Sequence, residues 1–256
     1  ISNALFRKVV EKGCNVLTNS FVSSVKKNDS NIVTELMVEN TEMPSSEKLD
    51  TDVIVLTAGI AANTSFIEGT SIELGCNQGI KTSSRLQTNY SNIFAAGDCC
   101  CVKNIVTGKP DYIPTANNAG RMGRIAGGNA TGGDEIFNGS VGTKVDVVFD
   151  HEVAKTGISF NEALNLGFNP VKITDTYPAH AVAIPGVSDI EIVLIADYPS
   201  GKILGAQMIG KKGVAKRIDI FATALTCGMT INDVYNLDLG YSPTTSTVWD
   251  PVNKIC

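Results

Sequence analysis

Two stretches of this 256-residue chain carry residues whose types and spacing could do chemistry. The first is Thr88–Asp98, TNYSNIFAAGD. Ile93, Phe94 and Ala95 predict a strand, within Asn92–Ala96, that brings the chain to a ligand. Gly97 permits close approach because it has no Cβ. Asp98 then offers a carboxylate to a sugar-like hydroxyl at the mouth of the next helix. The same residues also fit a plain Asx turn after a strand, and both readings stay open on the residues alone. The second stretch is the run Cys99-Cys100-Cys101, in a chain that also holds Cys14, Cys76, Cys227 and Cys256. Seven is odd, and the spacing sets out no disulfide framework, so the expectation is structural thiols in a reducing, cytoplasmic compartment. A vicinal-thiol or metal role for Cys100 and Cys101 is the alternative. Two His and no HxxxH or CxxC spacing argue against a catalytic zinc.

The bulk composition narrows the classes. With 21 Lys+Arg against 26 Asp+Glu the net charge is −5, and 43% of residues are hydrophobic. That is globular, and it lacks the clustered cations a phosphate backbone requires, so no nucleic-acid partner is expected. The longest apolar stretch, Val53–Ala62, falls short of the ~20 residues of a membrane span, and no membrane partner or signal peptide is expected. The chain does not open on Met but inside a helix-like run, Ala4–Gly13, with Leu5, Val9 and Val10 on one face and Gly13 as C-cap. We therefore expect a fragment or processed product.

The elements that must position these residues follow from periodicity and turn chemistry. Cys14–Asn19 and Phe21–Lys27 read as a pair of short strands, and Asn28–Asn31 as a turn. Ile32–Glu39 alternates as an antiparallel strand. Asn40–Asp50, with Pro44-Ser45-Ser46, reads as a loop, and Asp52–Thr57 as a buried strand that enters a Gly turn at Ala58-Gly59. Turn signals fall at Gly108-Lys109-Pro110. Thr115–Asn129 suits a helix whose small residues (Ala116, Ala119, Gly123, Ala126, Gly127, with Met122) admit a ligand, a second backbone or another helix. Further on, Val145–Phe149 is strand-like and Ser159–Leu166 is a helix with a capping box. Asp189–Ala196 and Lys202–Ile209 form a hairpin. Val214, Ile218, Phe221, Ala222 and Leu225 share one helix face that stops at Gly228, and Thr230-x-x-Asp233 caps another helix.

Thr88–Asp98 resembles the second FAD-binding motif of the flavoproteins that have two dinucleotide-binding domains. Asp98–Ala126 resembles the matching stretch of the NADH oxidases and coenzyme A-disulfide reductases, whose Ile-Pro-x-Ala maps to Ile113, Pro114, Thr115 and Ala116. Asp52–Asn63, with Gly59, is similar to the strand end of their NAD domain. Ala215–Asp219, Leu237–Pro243 and Val248–Pro251 are similar to the helix and C-terminal tail of their dimerisation domain. The resemblance implies an α/β plus α+β fold: the C-terminal part of an NAD(P)-binding domain (1–85), the returning part of an FAD-binding domain (86–138) and a dimerisation domain (139–256). It implies FAD and NAD(P)H as cofactors, with Gly97, Asp98, Pro114, Thr115, Ala116 and Gly59 as cofactor-binding residues. It also implies a homodimer in which Tyr241 reaches the partner's active site; on the residues alone Tyr241 could equally pack beside Pro243.

The implied activity is FAD-dependent oxidation of NAD(P)H, with oxygen, a small-molecule disulfide or sulfur as acceptor. The family's two Gly-rich fingerprints and its redox-active Cys have no counterpart in this sequence. The expectation is thus the C-terminal portion of a longer subunit, inactive alone. The alternative is a non-catalytic dimerising interaction module. Several departures bear on the substrate. The glutathione-reductase branch ends in His-Pro-Thr-x-x-Glu, where this chain has Tyr241-Ser242-Pro243-Thr244-Thr245. The usual His-Ala-x-Tyr-Tyr-Pro-Gly is here His180–Gly186 with Ala183 and Ile184 in place of both Tyr. His180 thus reads as a structural His or an acid–base group. Gly120 stands for the usual Asn, Ala62 for Pro before Asn63, and His151 for an apolar residue. From these losses the expected acceptor is oxygen or a small disulfide rather than coenzyme A disulfide.

Overall fold

The computed structural model describes residues 1–43 and 45–256. They form two compact units, Ser2–Ile60 and Ala61–Cys256, the latter joined by Ile1. In the smaller unit, helix α1 (Ser2–Glu11) buries Ala4, and Gly13 follows it at φ +84°. A three-stranded antiparallel meander follows: β1 (Ser20–Lys27), β2 (Val33–Asn40) and β3 (Ser46–Asp50). The turn between β1 and β2 is the expected one. Asn28 Oδ1 accepts from the amides of Ser30 and Ile32 at 3.0 Å each, and Asn31 takes φ +61°.

Three expectations for this unit fail. Cys14–Asn19 is not a strand: Asn19 sits at φ +52°, which breaks an extended run, and β1 pairs with β2 instead. Ser46–Asp50 is a strand rather than a loop. It is a polar edge, tied to β2 by a Leu36–Leu49 cross-strand pair and a Lys48–Glu35 contact of 3.7 Å. Edge strands are commonly charged because charge discourages further pairing, so a composition rule reads them as loops. Pro44, in the expected loop, lies outside the described residues. The apolar run 52–57 is not a strand either, and Val53, Val55 and Leu56 are exposed. A run that is apolar on both faces becomes a strand only between ladder partners, and none pairs with it among the described residues.

The larger unit begins with extended chain and two single 3-10 turns, Ser65–Ile67 and Cys76–Gln78. Asn92–Ala96 is not a continuous strand. Phe94 makes one bridge to Gln87, and Ala95 N–H donates to Leu86 O, while Cys100 bridges Ile80. A small ribbon, β4 (Val102–Lys103) and β5 (Pro110–Asp111), turns at the expected Gly108 signal. Helix α2 (Ala116–Ala130) packs Met122, Ile125 and Ala126 onto Ile80, Leu86, Val102 and Phe137. Contrary to the thiol expectation, Cys76 and Cys101 are joined by a disulfide with Cα atoms 6.0 Å apart. Cys14, Cys99, Cys100, Cys227 and Cys256 are free.

The rest is a five-stranded antiparallel sheet built from β6 (Lys144–Val148), β7 (His151–Gly157), β8 (Pro170–Pro178), β9 (Asp189–Asp197) and β10 (Ile203–Gly210). The spatial order is β6-β7-β10-β9-β8. Period-2 alternation sends Ile190, Ile192 and Leu194 of β9 to one face and Val193 and Ile195 to the other. Helix α4 (Val214–Cys227) covers the first face with Val214, Ile218, Phe221 and Leu225, the spacing read from the sequence. Helix α3 (Phe160–Asn165) places Ala163 on the second. Both expected capping boxes form: Ser159 with Glu162 on α3, and Thr230 with Asp233 on α5 (Ile231–Tyr235). A last helix, α6 (Pro251–Ile255), closes the chain. The strands β7 and β8 and helix α6 have no sequence-level expectation behind them. Among the described residues no helix is long and apolar enough to cross a membrane.

One buried ion pair ties these parts together. The Arg217 guanidinium of α4 donates to both Asp250 carboxylate oxygens at 2.8–3.0 Å, and to the carbonyls of Gly213, Ala179 and Thr245. Asp250 also caps α6 through Val252 N–H and accepts from the Ser246 hydroxyl at 2.7 Å. Burial alone would raise the Asp250 pKa, but the hydrogen bonds from Arg217, Val252 and Ser246 outweigh it and hold the carboxyl below its usual range. Its contribution to stability is therefore complete above the unfolded value of ~3.9 and is lost as pH falls through the lower folded value.

Arg217→Met leaves a buried carboxylate without its counter-charge, and should cost about 3–5 kcal/mol in urea unfolding of the chain at neutral pH. The deficit should shrink as pH falls, beginning above ~3.9, because without Arg217 burial raises the Asp250 carboxyl in the variant, and continuing down to the lower folded value of the parent. A loss below ~1 kcal/mol, or one that does not change with pH, would contradict this role.

Candidate functional site

The sequence places Gly97 and Asp98 between the extended chain and α2, and the structure turns the backbone there. Gly97 takes φ +90°, and its carbonyl accepts from Cys100 N–H at 3.0 Å. A Cβ added at Gly97 would lie 3.7 Å from the Ala119 Cβ, so the turn rests directly on the first turn of α2. Asp98 is exposed at its tip. Behind it, Cys99 Sγ lies 3.4 Å from Ala96 O, and burial, with Cys99 second, pushes the Cys100 thiol up.

Pro114, Thr115 and Ala116 form the entrance to α2 facing this turn. Thr115 occupies the N-cap with extended backbone, yet its hydroxyl caps nothing. The Thr115 Oγ1 is buried and has no hydrogen-bond partner among the described residues; the same holds for the Tyr112 hydroxyl. Tyr112 is close enough to Asp98 and Cys99 to feel their charge. Burial first, then those two groups, raise its pKa. A threonine at an N-cap normally satisfies an orphan amide of the first turn, and a buried hydroxyl without a partner costs free energy. Two such hydroxyls at the positive end of a helix dipole, with that of Tyr112 also within reach of the Asp98 charge, make a polar cradle that can receive the hydroxyls and carbonyls of a ligand.

The helix itself presents a stripe to the same side. Ala116, Gly120, Gly123 and Gly127 are exposed, and a Cβ on any of the three glycines would meet nothing within 4 Å. Met122 and Ala126, which the sequence grouped with them, face inward instead. Asn118 fixes the inner face, donating to Ile113 O at 3.2 Å and to Ser140 Oγ at 3.0 Å.

Gly97 thus rests on the first turn of α2, the turn that Pro114, Thr115 and Ala116 lead into, and Asp98 follows it in the chain. Gly59 belongs to the smaller unit, in exposed chain at φ +120°. Tyr241 is half exposed in the irregular segment before Asp250, and so is Trp249, whose ring meets Tyr235 edge-on at 5.2 Å. The neighbouring Pro243 carbonyl accepts from Ala181 N–H. His180 Nδ1 lies 3.2 Å from the Ala181 carbonyl, and His151 Nδ1 lies 2.9 Å from Asp150 Oδ1. Asp150 is lowered to about 2 by His151 and Lys211. Sequence reasoning missed Tyr112. The only available signal was an amphipathic ring placed one residue before the Ile113-Pro114 pair.

Known proteins resemble this chain along most of its length. Residues 1–123 match the family described as pyridine nucleotide-disulphide oxidoreductase, and residues 145–251 match its dimerisation domain. The chain is 33% identical over 205 residues to an NAD(P)H sulfur oxidoreductase (CoA-dependent) of Pyrococcus furiosus, a match covering 78% of this chain and 45% of that protein. It is 31% identical over 205 residues to a coenzyme A disulfide reductase of Staphylococcus aureus, covering 80% and 46%. The structure of an NAD-dependent persulfide reductase from A. fulgidus superposes with a TM-score of 0.93 at 32% identity, over 100% of this chain and 46% of that one. The chain spans about half the length of the curated relatives it matches.

With both of its matching segments drawn from one family, the chain belongs to the pyridine nucleotide-disulphide oxidoreductases. Since neither orphan hydroxyl has a partner to lose, Thr115→Val and Tyr112→Phe should each leave the ligand-free chain within ~0.5 kcal/mol of the parent in denaturant unfolding, or more stable. A loss above ~1 kcal/mol would show that these hydroxyls are structural.

Proposed function

We propose that the protein is a flavoenzyme that oxidises NAD(P)H through FAD and delivers the electrons to a small sulfur compound, a disulfide or oxygen. The single observation carrying the reading is the pair of buried, unpartnered hydroxyls at the entrance to α2, Thr115 at its N-cap and Tyr112 within reach of the Asp98 charge. They fit a polyhydroxylated, carbonyl-bearing group of the flavin kind. Asp98 would hold the ribityl chain, with Gly97 keeping the turn low. Pro114, Thr115 and Ala116 would lie along the flavin ring, and Gly59 would serve the nicotinamide side. The small stripe Ala116, Gly120, Gly123 and Gly127 leaves the helix open to close approach by a ligand or a second backbone. When bound, FAD supplies two-electron transfer between nicotinamide and acceptor. The chain binds, orients and, at the α2 N-terminus, favours developing negative charge.

The acceptor class draws support from the names of the relatives, which act on sulfur, persulfide and coenzyme A disulfide. In this chain Ala183 and Ile184 lie in the turn after β8, where Val182 is exposed and no aromatic side chain stands. Coenzyme A disulfide is accordingly the poorer substrate of the set. A homodimer is the proposed assembly, formed through the 139–256 unit. Each copy would be related by a two-fold axis, with the half-exposed Tyr241 of one copy reaching the flavin of the other.

Two measurements on protein expressed from the complete reading frame test this. Losing a charged hydrogen-bond partner costs about 1.5–3 kcal/mol, so Asp98→Ala should weaken FAD retention ~10- to 100-fold in equilibrium dialysis followed by flavin absorbance. Unchanged retention would sink the flavin assignment. In steady-state assays, sulfur, oxygen or a small disulfide should outpace coenzyme A disulfide. Restoring both aromatics with Ala183→Tyr and Ile184→Tyr should raise the coenzyme A disulfide rate, and rapid turnover of that substrate by the parent would contradict the acceptor assignment.

A further inference from the structure

Apart from the site described above, the larger unit holds a disulfide between Cys76 and Cys101. We infer that Cys76 and Cys101 are a reversible thiol–disulfide site that exchanges with a low-molecular-weight thiol. The inference is independent of the proposed flavin chemistry, because neither sulfur belongs to the cradle around Asp98.

Three observations support it. The first is access. Both cysteines line a cavity of about 520 Å³, large enough for a small thiol, together with Lys81, Lys103, Ser83 and Ser84. Cys76 is half-buried on the rim, and Cys101 is buried at 7% exposure. An incoming thiolate therefore reaches the Cys76 sulfur first, and the ammonium groups of Lys81 and Lys103 favour a thiolate there, although Lys81 is partly engaged by Glu73 at 3.3 Å.

The second observation is that the geometry serves the reduced state as well as the oxidised one. Cys101 Sγ lies 3.2 Å from the Cys76 carbonyl and 3.4 Å from the Gly79 carbonyl. In the dithiol form the Cys101 S–H has acceptors waiting, so opening the bridge strands no polar group. The Cα separation of 6.0 Å lies within the range that closes without backbone movement.

The third is the local backbone. The Cys76 turn runs through Asn77 at φ +47° and Gln78 at φ +58°, two successive non-glycine residues in the left-handed region. A Cβ on Gly79 would come 3.0 Å from Cys101 N, so the turn lies flat on the segment that leaves Asp98. A turn with such disfavoured backbone needs tertiary fixing, and the bridge supplies it three residues after the Asp98 carboxylate. Thiol–disulfide exchange thus sets how firmly the Gly97–Cys101 segment is held.

The chemistry balances with one co-reactant class, a small-molecule disulfide RSSR. The Cys76 thiolate attacks one sulfur of RSSR, an S–S bond forms to Cys76, and RS⁻ leaves and takes up the proton that Cys76 released. Cys101 then loses its proton and attacks the Cys76 sulfur, which expels the second RS⁻ as RSH. Two protein thiols are oxidised and RSSR is reduced to two RSH. Excess RSH runs the same steps backwards.

Glutathione, oxidised and reduced, is the probe. The native chain is equilibrated in either form, quenched and denatured, its thiols are labelled with a maleimide, and intact mass and peptide mapping count the labels. Oxidised glutathione should leave Cys76 and Cys101 unlabelled and joined to each other, and reduced glutathione should return both to the labelled form, read by peptide mapping apart from any mixed disulfides at the exposed Cys14 and Cys227. In Cys76→Ser, Cys101 should stay labelled in both buffers because it is buried. Cys76 and Cys101 both labelled in both buffers, both bridged in both, or a bridge that maps to another pair such as Cys99–Cys100 would each overturn the inference.

Discussion

The larger unit depends on keeping one buried charge satisfied. Arg217 lies on the α4 face against the sheet, and its side chain is 8% exposed, as is proper only for a cation with a full set of acceptors. Asp250 accepts from Nε and Nη2, the Ala179 and Thr245 carbonyls share Nη2, and the Gly213 carbonyl accepts from Nη1, so the guanidinium reads four segments at once: the α4 N-terminus, the end of β8, the loop at Thr245 and the cap of α6. The loop between α5 and α6 has almost no regular structure of its own. What fixes it is this pair, the Pro243 carbonyl bound by Ala181 N–H, and Asn253, whose amide donates to the carbonyls of Val234, Tyr235 and Leu237. The position of Tyr241 follows from those constraints rather than from local propensity.

The proposed flavin cradle is built on the opposite logic. Its polar groups are left unsatisfied, and the helix behind it is lined by alanine and glycine. A folded chain tolerates two buried hydroxyls without partners where binding supplies the partner. The apolar layer under the cradle is ordinary by contrast: Met122 and Ile125 of α2 pack on Ile80, Leu86 and Val102, and hold the helix while its outer face stays free. One end of the unit is thus fully paired and the other is held open.

Much of this was legible in the residues, for identifiable reasons. Amphipathic spacing located α4, a run of small and apolar residues located α2, turn punctuation between two apolar runs located the β9–β10 hairpin, and the two capping boxes were found from four-residue signatures because each closes a local ring of hydrogen bonds. The Gly97-Asp98 turn was legible for the same reason: its geometry is local. What failed depended on distant partners. The apolar 52–57 run has strand composition but no ladder partner among the described residues. The polar β3 exists because β2 offers it an edge. Strands β7 and β8 alternate weakly, since β7 carries His151, Glu152 and Lys155 and β8 ends one side of the sheet. The Cys76–Cys101 bridge joins residues 25 apart, a pairing no spacing rule identifies. Tyr112 stood out only once the absence of a partner for its hydroxyl could be seen.

Subunit complementation tests together the proposed flavin site on one copy and the proposed reach of Tyr241 from the other. Protein from the complete reading frame is prepared as Asp98→Ala, as Tyr241→Phe, and as a mixed dimer with one substitution in each subunit, isolated by two different affinity tags. If Tyr241 acts across the two-fold axis, the mixed dimer carries one site with both defects and one site with neither. Both parent homodimers should then be impaired in NAD(P)H oxidation, and the mixed dimer should recover up to about half of the wild-type turnover, the share of one intact site in a two-fold pair. A mixed dimer as impaired as its parents, a fully active Tyr241→Phe homodimer, or a protein that stays monomeric throughout would contradict the account.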